Sequence, residues 1–302
     1  MSGATASLRK KIGGAGDLQS VVRAMKAMAA ANIGQYEKAE RALDGYFHTV
    51  ELGLSICFAQ GAPLVSLTDD RGQAGKLAVA AVVFGSDQGL VGRFNDVVAD
   101  HAIKSLGVVQ GRPRIWAVGD RVRRRLMDAG FDVQGLFAVP GSVAAIVPLI
   151  GQILVAGEAV QHREDNDELY LFYIRPTSGA AYRPVSQRLL PLDESWRCKL
   201  AALPWPTAAL PDIIGDNLVT LRALIREYLF VSLFRACALS LASENASRLA
   251  AMQRADKNID DLLEELNATY RRLRQNGIDE ELFDVVAGFE ALHTEGTSDA
   301  SL

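Results

Sequence analysis

Residues 216–275 read DNLVTLRALIREYLFVSLFRACALSLASENASRLAAMQRADKNIDDLLEELNATYRRLRQ and decide the fold. This stretch contains neither proline nor glycine, the two residues least favourable inside a helix, and the next glycine is Gly277. We therefore expect one helix over residues 216–292, which at ~1.5 Å per residue would be on the order of 100 Å long. A helix of this length cannot bury its own apolar stripe, so it is expected to pack against another helix.

An apolar stripe with alternating spacings of three and four residues runs along this helix. Its members are Ala238, Ala242, Asn245, Leu249, Met252, Asp256, Ile259, Leu263, Leu266, Tyr270 and Leu273. A mean spacing near 3.5 residues keeps one face toward a partner helix and predicts a coiled coil. The polar members, Asn245 and Asp256, either set the register of the pair or interrupt its packing.

A second stripe of the same spacing lies in residues 8–58. Its members are Ala15, Leu18, Val22, Met25, Ala29, Asn32, Tyr36, Ala39, Leu43, Tyr46, Val50, Gly53 and Cys57. We expect these residues to form the partner helix, with a weak start because three glycines lie between positions 13 and 16. The long intervening segment can return the chain, so the pair is predicted to be antiparallel. Alanines in both stripes favour a close approach of the helices.

The residues between the two helices alternate between strand and helix patterns. Residues 59–76 are rich in Gly, Asp and Gln and are predicted to be a loop. Strands are predicted at 77–84, 113–119, 131–139, 167–176 and 183–192, with a helix after each of the first three. This alternation is typical of a parallel sheet covered by helices, and the sequence TSGAAY predicts a hairpin between the last two strands. Residues 193–215 contain three prolines and are expected to be an extended return without regular structure.

The predicted fold class is therefore α/β, with a Rossmann-like α/β domain inserted into a long antiparallel coiled coil made of the N- and C-terminal helices. Its expected segments are an N-terminal coiled-coil helix, a globular domain, a C-terminal coiled-coil helix and a disordered tail, at 1–58, 59–215, 216–292 and 293–302.

Composition and charge exclude several classes of function. The net charge is −4 with 23% charged residues, so no basic field points to nucleic acid as a partner. The longest apolar runs are too short or too interrupted to span a membrane. Three scattered cysteines, Cys57, Cys198 and Cys237, show no metal-ligand spacing and fit a reducing compartment. With no secretion signal at the N-terminus, the protein is expected in the cytosol.

The sequence carries little evidence of catalysis. GSDQGLVGRFND, residues 85–96, follows a predicted strand and could in principle hold a phosphate. It lacks both the GxGxxG spacing and the GK[ST] of a P-loop, so a tight strand-to-helix turn is the favoured interpretation. The motifs HExxH and GxSxG are absent, and the four histidines lie in unrelated segments. We predict no catalytic residue, no cofactor and no metal ion.

Two groups of arginines remain. Arg121, Arg123, Arg124 and Arg125 are expected to form an exposed helix face. A second group, at positions 271, 272 and 274, lies near the far end of the coiled coil, where it is either an exposed face or a site for acidic groups of a partner.

Three stretches resemble the γ subunit of F-type ATP synthases. LRKKIGGAGDLQSVVRAMKAMAAANI, from residue 8, resembles the opening helix of that family, which usually reads KAM where this chain reads RAM. FGSDQGLVGRFN, from residue 84, resembles the family's SDRGLCGGLN turn. The segment from residue 227 to Gly288 resembles its C-terminal signature, with EY, SE, RxxAM, N, EL, Y and RQ at matching spacing. The resemblance covers residues 8–292.

This resemblance implies a non-catalytic, rotating central stalk that couples transmembrane ion flow to ATP synthesis or hydrolysis. The implied partners are the α and β subunits of the hexamer, the ε subunit, the membrane c-ring and, through the complex, δ. The implied location is peripheral, on the cytoplasmic face of the bacterial inner membrane. Residues that match partner-binding positions of the family are Met25, Asp87, Gln88, Leu90, Val91, Arg274 and Gln275.

The chain departs from the family pattern at several matching positions. Arg23 stands where lysine is usual, Gln88 where arginine is usual, Val91 where cysteine is common and Arg93 where glycine is usual. Gly277 should weaken the terminal helix by roughly 1 kcal/mol relative to alanine. A bacterial or sodium-type version of the subunit accommodates these differences. The alternatives are a coiled-coil scaffold or adaptor with a Rossmann-like module, and a small nucleotide-dependent enzyme built on the α/β domain.

Overall fold

The computed structural model describes residues 2–60, 79–109, 111–161, 168–177, 182–192, 194–209 and 211–298. Its helices are α1 (Ser2–Ala42), α2 (Asp44–Ala59), α3 (Phe94–Leu106), α4 (Asp120–Asp128), α5 (Ile146–Gln161), α6 (Glu194–Ala201) and α7 (Asn217–Ser298). A 3-10 turn, Val143–Ala145, precedes α5. Its strands are β1 (Val79–Phe84), β2 (Arg114–Val118), β3 (Val133–Phe137), β4 (Glu168–Pro176) and β5 (Tyr182–Leu190).

The chain divides into two compact units. The first, called the end unit here, consists of residues 1–27 and 252–302. The second, called the body unit, consists of residues 28–251. Each unit contains part of α1 and part of α7.

The body unit contains a five-stranded mixed sheet in the order β3-β2-β1-β4-β5. Strands β1, β2, β3 and β4 run parallel in their pairings, and β4 pairs with β5 as the predicted antiparallel hairpin. All six residues of the central strand β1 are buried, as expected for a strand covered on both faces. The hairpin prediction is confirmed by this pairing, although its turn, residues 178–181, lies outside the described residues.

Side chains of β1 alternate between two apolar clusters, one on each face of the sheet. Val82 and Phe84 belong to a cluster that includes residues of α5 and of the long helix α7. Ala81 and Val83 belong to the other cluster, which contains Phe94, Val98, Ala102, Leu106, Val122 and Leu126 from α3 and α4. The domain therefore has three layers, with the long helices contributing to one of its outer layers.

Helices α1 and α7 pack antiparallel, as predicted. In the body unit, Asn32 Nδ2 donates to Asn245 Oδ1 at 3.4 Å and Arg235 Nη2 donates to Glu40 Oε1 at 2.9 Å. Residue numbers therefore rise along α1 while those of the contacting residues fall along α7, which means that the helices are antiparallel. The small seam residues Ala29, Ala238 and Ala242 are at most 1% exposed. In the end unit, Val22, Met252 and Ile259 are buried seam members.

The first seam differs from its prediction in two places. Leu18 is 54% exposed, whereas the neighbouring Gln19 is 9% exposed and bonds to α7. The helical segment expected at 8–58 is confirmed, but it begins earlier, at Ser2, and a turn at Leu43 divides it into α1 and α2. Past this turn the predicted seam members Val50 and Cys57 are buried, whereas Tyr46 is 44% exposed and the neighbouring Phe47 packs against Tyr228.

Three other expectations differ from the structure or concern residues that it does not describe. The predicted extended return at 193–215 contains the helix α6. The tail expected to be disordered from residue 293 continues α7 to Ser298, and the same helix passes through Gly277 without a break. Most of the predicted loop at 59–76 lies outside the described residues. Among the described helices, none is long and apolar enough to cross a membrane.

Candidate functional site

The turn after β1, residues 85–93, is fixed by its own side chains and by close backbone contacts. Ser86 Oγ donates to the carbonyl of Gln88 at 2.8 Å, and Asn95 binds both the amide and the hydroxyl of Ser86 at 2.9 and 2.8 Å. A Cβ at Gly85 would lie 2.4 Å from Val122, so only glycine fits at the start of the turn. The turn is therefore a preorganised structure rather than an adaptable loop.

Asp87 joins the carboxyl ends of three parallel strands. Its Oδ1 accepts from the amide of Asp120, which follows β2, at 3.0 Å, and its Oδ2 accepts from the amide of Val139, which follows β3, at 2.8 Å. Nucleotide-binding α/β proteins place a phosphate at a helix N-terminus in this region. Here the amide of Asp120, at the start of α4, already donates to the carboxylate of Asp87. This bond favours the tight-turn interpretation over nucleotide binding.

The other predicted residues of the turn differ in their accessibility. Leu90 has a φ of 63°, and its side chain is 61% exposed. Gln88 is also exposed. Val91, in contrast, is 2% exposed and packs in the apolar cluster beneath the sheet. The predicted contact of Val91 with a partner stays a prediction, and the burial of its side chain does not favour that contact. Leu90 and Gln88 are accessible to a partner.

The turn is also anchored to α7. Ser247 lies on α7, is 5% exposed, and donates from its hydroxyl to the carbonyl of Val91 at 2.5 Å. This bond joins the backbone next to Leu90 to the long helix. The sequence alone does not reveal this contact, because Ser247 and Val91 are 156 residues apart.

The remaining predicted contact residues lie in the end unit. Met25 is half-buried on α1, and Arg274 and Gln275 are exposed on α7. Neither Arg274 nor Gln275 makes an ion pair or side-chain hydrogen bond with any described residue, so both have unused donors for a partner.

A polar cluster that the sequence analysis did not assemble also lies in the end unit. Arg23 Nε and Lys26 Nζ donate to the carboxylate of Asp256 at 3.1 and 3.2 Å, and Gln19 bonds to both Asp256 and Asp260. The bond from Arg23, followed by the bond from Lys26 and the two positive charges, lowers the pKa of Asp256 below its ordinary value, against the effect of desolvation. These contacts across the helix pair favour the interpretation that Asp256 sets the register over the one in which it interrupts the packing.

A buried charged pair lies within the body unit. Arg248 Nη2 contacts Glu244 Oε1 at 2.6 Å, and their side chains are 15% and 6% exposed. Burial raises the pKa of Glu244, and the charge of Arg248 opposes this effect. Burial likewise raises the pKa of the Cys57 and Cys237 thiols, which keeps both as inert core residues.

The group of arginines on α4 is partly paired with acidic side chains. Arg124 binds Asp120 at 2.6 Å, and Arg125 binds Asp96 at 2.9 Å. Arg121 lies beside the turn, where an added Cβ at Gly89 would be 3.5 Å from its Nη2 atom.

Among the described residues, no group of histidine, cysteine and acidic side chains is suited to hold a metal ion.

Comparisons with known proteins match nearly the whole chain. The sequence model of the family described as ATP synthase matches residues 4–292. An ATP synthase gamma chain from Syntrophobacter fumaroxidans is 28% identical over 94% of this chain and 97% of its own length. One from Glaesserella parasuis is 26% identical over 97% of this chain and its own full length.

Solved structures share the fold. The rotor of the Euglena gracilis mitochondrial ATP synthase, in rotational state 1, contains a chain with a TM-score of 0.60 and 19% identity, which matches 92% of this chain and 100% of its own length. A chain of the central stalk and c-ring of the Tetrahymena thermophila enzyme has a TM-score of 0.53 and 18% identity over 78% of this chain and 99% of its own length.

Proposed function

The chain belongs to the ATP synthase γ-chain family, and from this premise we propose that it couples ion flow to ATP chemistry by rotating within a hexamer of α and β subunits. It is the central-stalk subunit of the rotor and has no catalytic role of its own. Family membership also decides against the two alternatives, a scaffold and a nucleotide-dependent enzyme.

The observation that carries the proposal is the antiparallel pairing of α1 with α7 around an inserted α/β domain, across the span matched by the family. A shaft must resist sliding and separation of its helices when one end is turned against the other. In the end unit, Arg23, Lys26 and Asp256 pair across the two helices, and in the body unit Arg235 pairs with Glu40. Within each unit, these pairs hold the two helices in one register.

A rotating asymmetric shaft would act on each β subunit as a ligand does, because its contacts with β would differ between rotational states. A protein shifts between conformations only when a ligand binds those conformations with different free energies. We propose that exposed groups such as Leu90 in the body unit and Arg274 in the end unit make contacts with β that differ from one rotational state to the next.

Arg274 and Gln275 are proposed to bind an acidic loop of the β subunit, since both are exposed and have unused hydrogen-bond donors. Guanidinium groups form strong, directional bonds with carboxylates. Met25 and the exposed residues of the turn, Gln88 and Leu90, are proposed to contact the moving levers of β.

The body unit is proposed to bind the ε subunit and the c-ring, with δ reached only through the complex. The protein would then be peripheral to the membrane, on the cytoplasmic face of the bacterial inner membrane. The coupling ion in this scheme is H+ or Na+, and it is conducted by other subunits.

Coexpression with α and β subunits from the same source tests the proposal. We expect a complex of α, β and this chain to copurify, and we expect its multisite ATP hydrolysis to depend on this chain. A chain that stays free, or that binds without altering turnover, would contradict the proposed rotation and support a scaffold role.

A further inference from the structure

The N-terminal helical segment is interrupted at Leu43, and residues 41–47 around this point are called the junction here. The amide of Leu43 donates to the carbonyl of Glu40 at 3.1 Å, a spacing of three residues that is typical of a 3-10 turn. Leu43 is also the N-cap of α2, where its side chain makes no capping hydrogen bond, and Gly45 follows in the first turn. An uncapped start and a glycine both weaken a helix, so the local sequence gives the junction little stability.

One side chain of α7 spans the junction. Arg235 donates from Nε and Nη2 to Oε1 of Glu40 on α1, at 3.2 and 2.9 Å. Its Nη2 also lies 3.2 Å from Oδ1 of Asp44, the first residue of α2. Its guanidinium carbon lies 5.1 Å from the centroid of the Phe47 ring. Arg235 thus contacts both sides of the interruption through charge-assisted bonds and a cation–π contact.

These contacts are partly sheltered from water and rest on packed aromatic rings. The side chains of Arg235 and Glu40 are 29% and 15% exposed, so their attraction is screened less than that of a surface pair. The ring of Phe47 stacks on Tyr228 of α7 at 5.6 Å, and Tyr228 contacts Trp196 of α6 at 5.2 Å. Because Phe47 belongs to this packed group, it offers the guanidinium a fixed surface over the junction.

We propose that the junction is a joint in the N-terminal helical segment and that Arg235 is the latch that keeps it closed. Local opening of a protein depends on the contacts that must break, and several contacts of this weak segment converge on one guanidinium. Loss of the latch would let the backbone of residues 43–47 open while the rest of the body unit stays folded. In a rotating shaft, the latch would stiffen the connection between α1 and α2. That last consequence rests on the proposed function, whereas the latch itself does not.

Hydrogen exchange of the full chain, without partner subunits, tests the latch by comparing Arg235→Gln with Arg41→Gln. Both substitutions remove an arginine that contacts a glutamate of α1, but Arg41 is 67% exposed and pairs with Glu37 on the same helix, without spanning the interruption. We expect Arg235→Gln to lower the protection factors of the amides of residues 43–47 about tenfold, and Arg41→Gln to change them less than about twofold. The amides of the buried strand β1 should keep their protection in both variants.

A second substitution separates a local joint from a general packing defect. No atom lies within 4 Å of a Cβ added at Gly45 or at Gly34, so alanine fits at both positions. Because alanine favours helix over glycine, Gly45→Ala added to Arg235→Gln is expected to restore most of the lost protection, although it restores no contact of the guanidinium. Gly34→Ala, in the middle of α1, is the matched control and should leave the junction unprotected.

The latch is overturned if Arg235→Gln and Arg41→Gln exchange alike at residues 43–47, or if the loss of protection in Arg235→Gln extends to β1. It is also overturned if Gly45→Ala restores no protection, or if Gly34→Ala restores as much. The proposed function fails separately, when the unmodified chain does not bind a hexamer of α and β subunits. The exchange measurement uses the chain alone, so the two failures can be told apart.

Discussion

The carboxylate of Asp256 makes the stability of the helix pair in the end unit depend on pH. Because bonds from Arg23 and Lys26 lower its pKa, the ionised carboxylate favours the folded state at pH values above the unfolded pKa, near 4. This stabilisation is lost as the pH falls through the lower pKa of the folded state. We expect Asp256→Asn to lower the urea midpoint of the helical circular dichroism signal at pH 7, with the difference from the unmodified chain shrinking below about pH 4.

The neighbouring Asp261 provides the matched control for this prediction. Asp261 is exposed and forms no ion pair with a described residue, so Asp261→Asn should leave the midpoint nearly unchanged at either pH. Equal effects of the two substitutions, or an Asp256→Asn effect that persists unchanged in acid, would count against a role for the Asp256 charge.

Glu244 and Arg248 provide a second prediction at the level of single residues. Their side chains are 6% and 15% exposed, so removing the arginine leaves a carboxylate buried without its cation. We expect Arg248→Met to lower the free energy of unfolding by about 3–5 kcal/mol, and adding Glu244→Gln to recover part of the loss. Chemical denaturation of the single and double variants measures the coupling between the two positions.

The exposed pair of Arg41 and Glu37 serves as the control, because it has the same spacing along a helix. Their side chains are 67% and 40% exposed, and such pairs contribute at most about 1 kcal/mol. A loss from Arg41→Met as large as that from Arg248→Met would show that burial is not the cause.

At the scale of the elements, periodicity predicted most of the fold because it depends on residues close in sequence. The spacing of Ala238, Ala242 and Met252 places all three on the buried face of α7. The turn at Leu43 shifts the buried face by one residue, from Tyr46 to Phe47. Because both residues are aromatic, the spacing of apolar residues did not reveal this turn. Proline content likewise concealed α6, whose residues Glu194–Ala201 end before the first proline of that segment.

The small residues of the seam give the prediction at this scale. Ala29 on α1 is 1% exposed, whereas the next residue, Ala30, is exposed on the same helix. We expect Ala29→Leu to lower the free energy of unfolding by about 1–3 kcal/mol, because the added atoms would force the helices apart. Ala30→Leu should change the free energy of unfolding by less than about 0.5 kcal/mol. Equal effects of the two substitutions in chemical denaturation would contradict the role of close packing at Ala29.

At the scale of the whole molecule, the candidate contacts could be found only in part from the sequence. The resemblance to the γ-subunit family singled out Leu90, Arg274 and Gln275, and all three are exposed in the structure. The placement of Arg121 beside Gly89 depends on how β1, β2 and α4 assemble, so no local pattern reveals it. The anchoring of Val91 by Ser247 is hidden for the same reason.

The pair Arg274 and Gln275 carries the prediction for the assembled enzyme. Replacing both by alanine removes exposed donors proposed to bind an acidic loop of β, without removing a side-chain hydrogen bond or ion pair among the described residues. We expect slower coupled ATP synthesis, or weaker assembly, with nucleotide binding by β unchanged, because the chain contributes no group to the nucleotide sites in this mechanism. Arg254→Ala is the control, because Arg254 is another exposed arginine of α7 that forms no ion pair with a described residue. Synthesis rates and nucleotide affinities measured on purified complexes decide the matter: if the double variant matches Arg254→Ala in coupled synthesis, then torque does not pass through this contact.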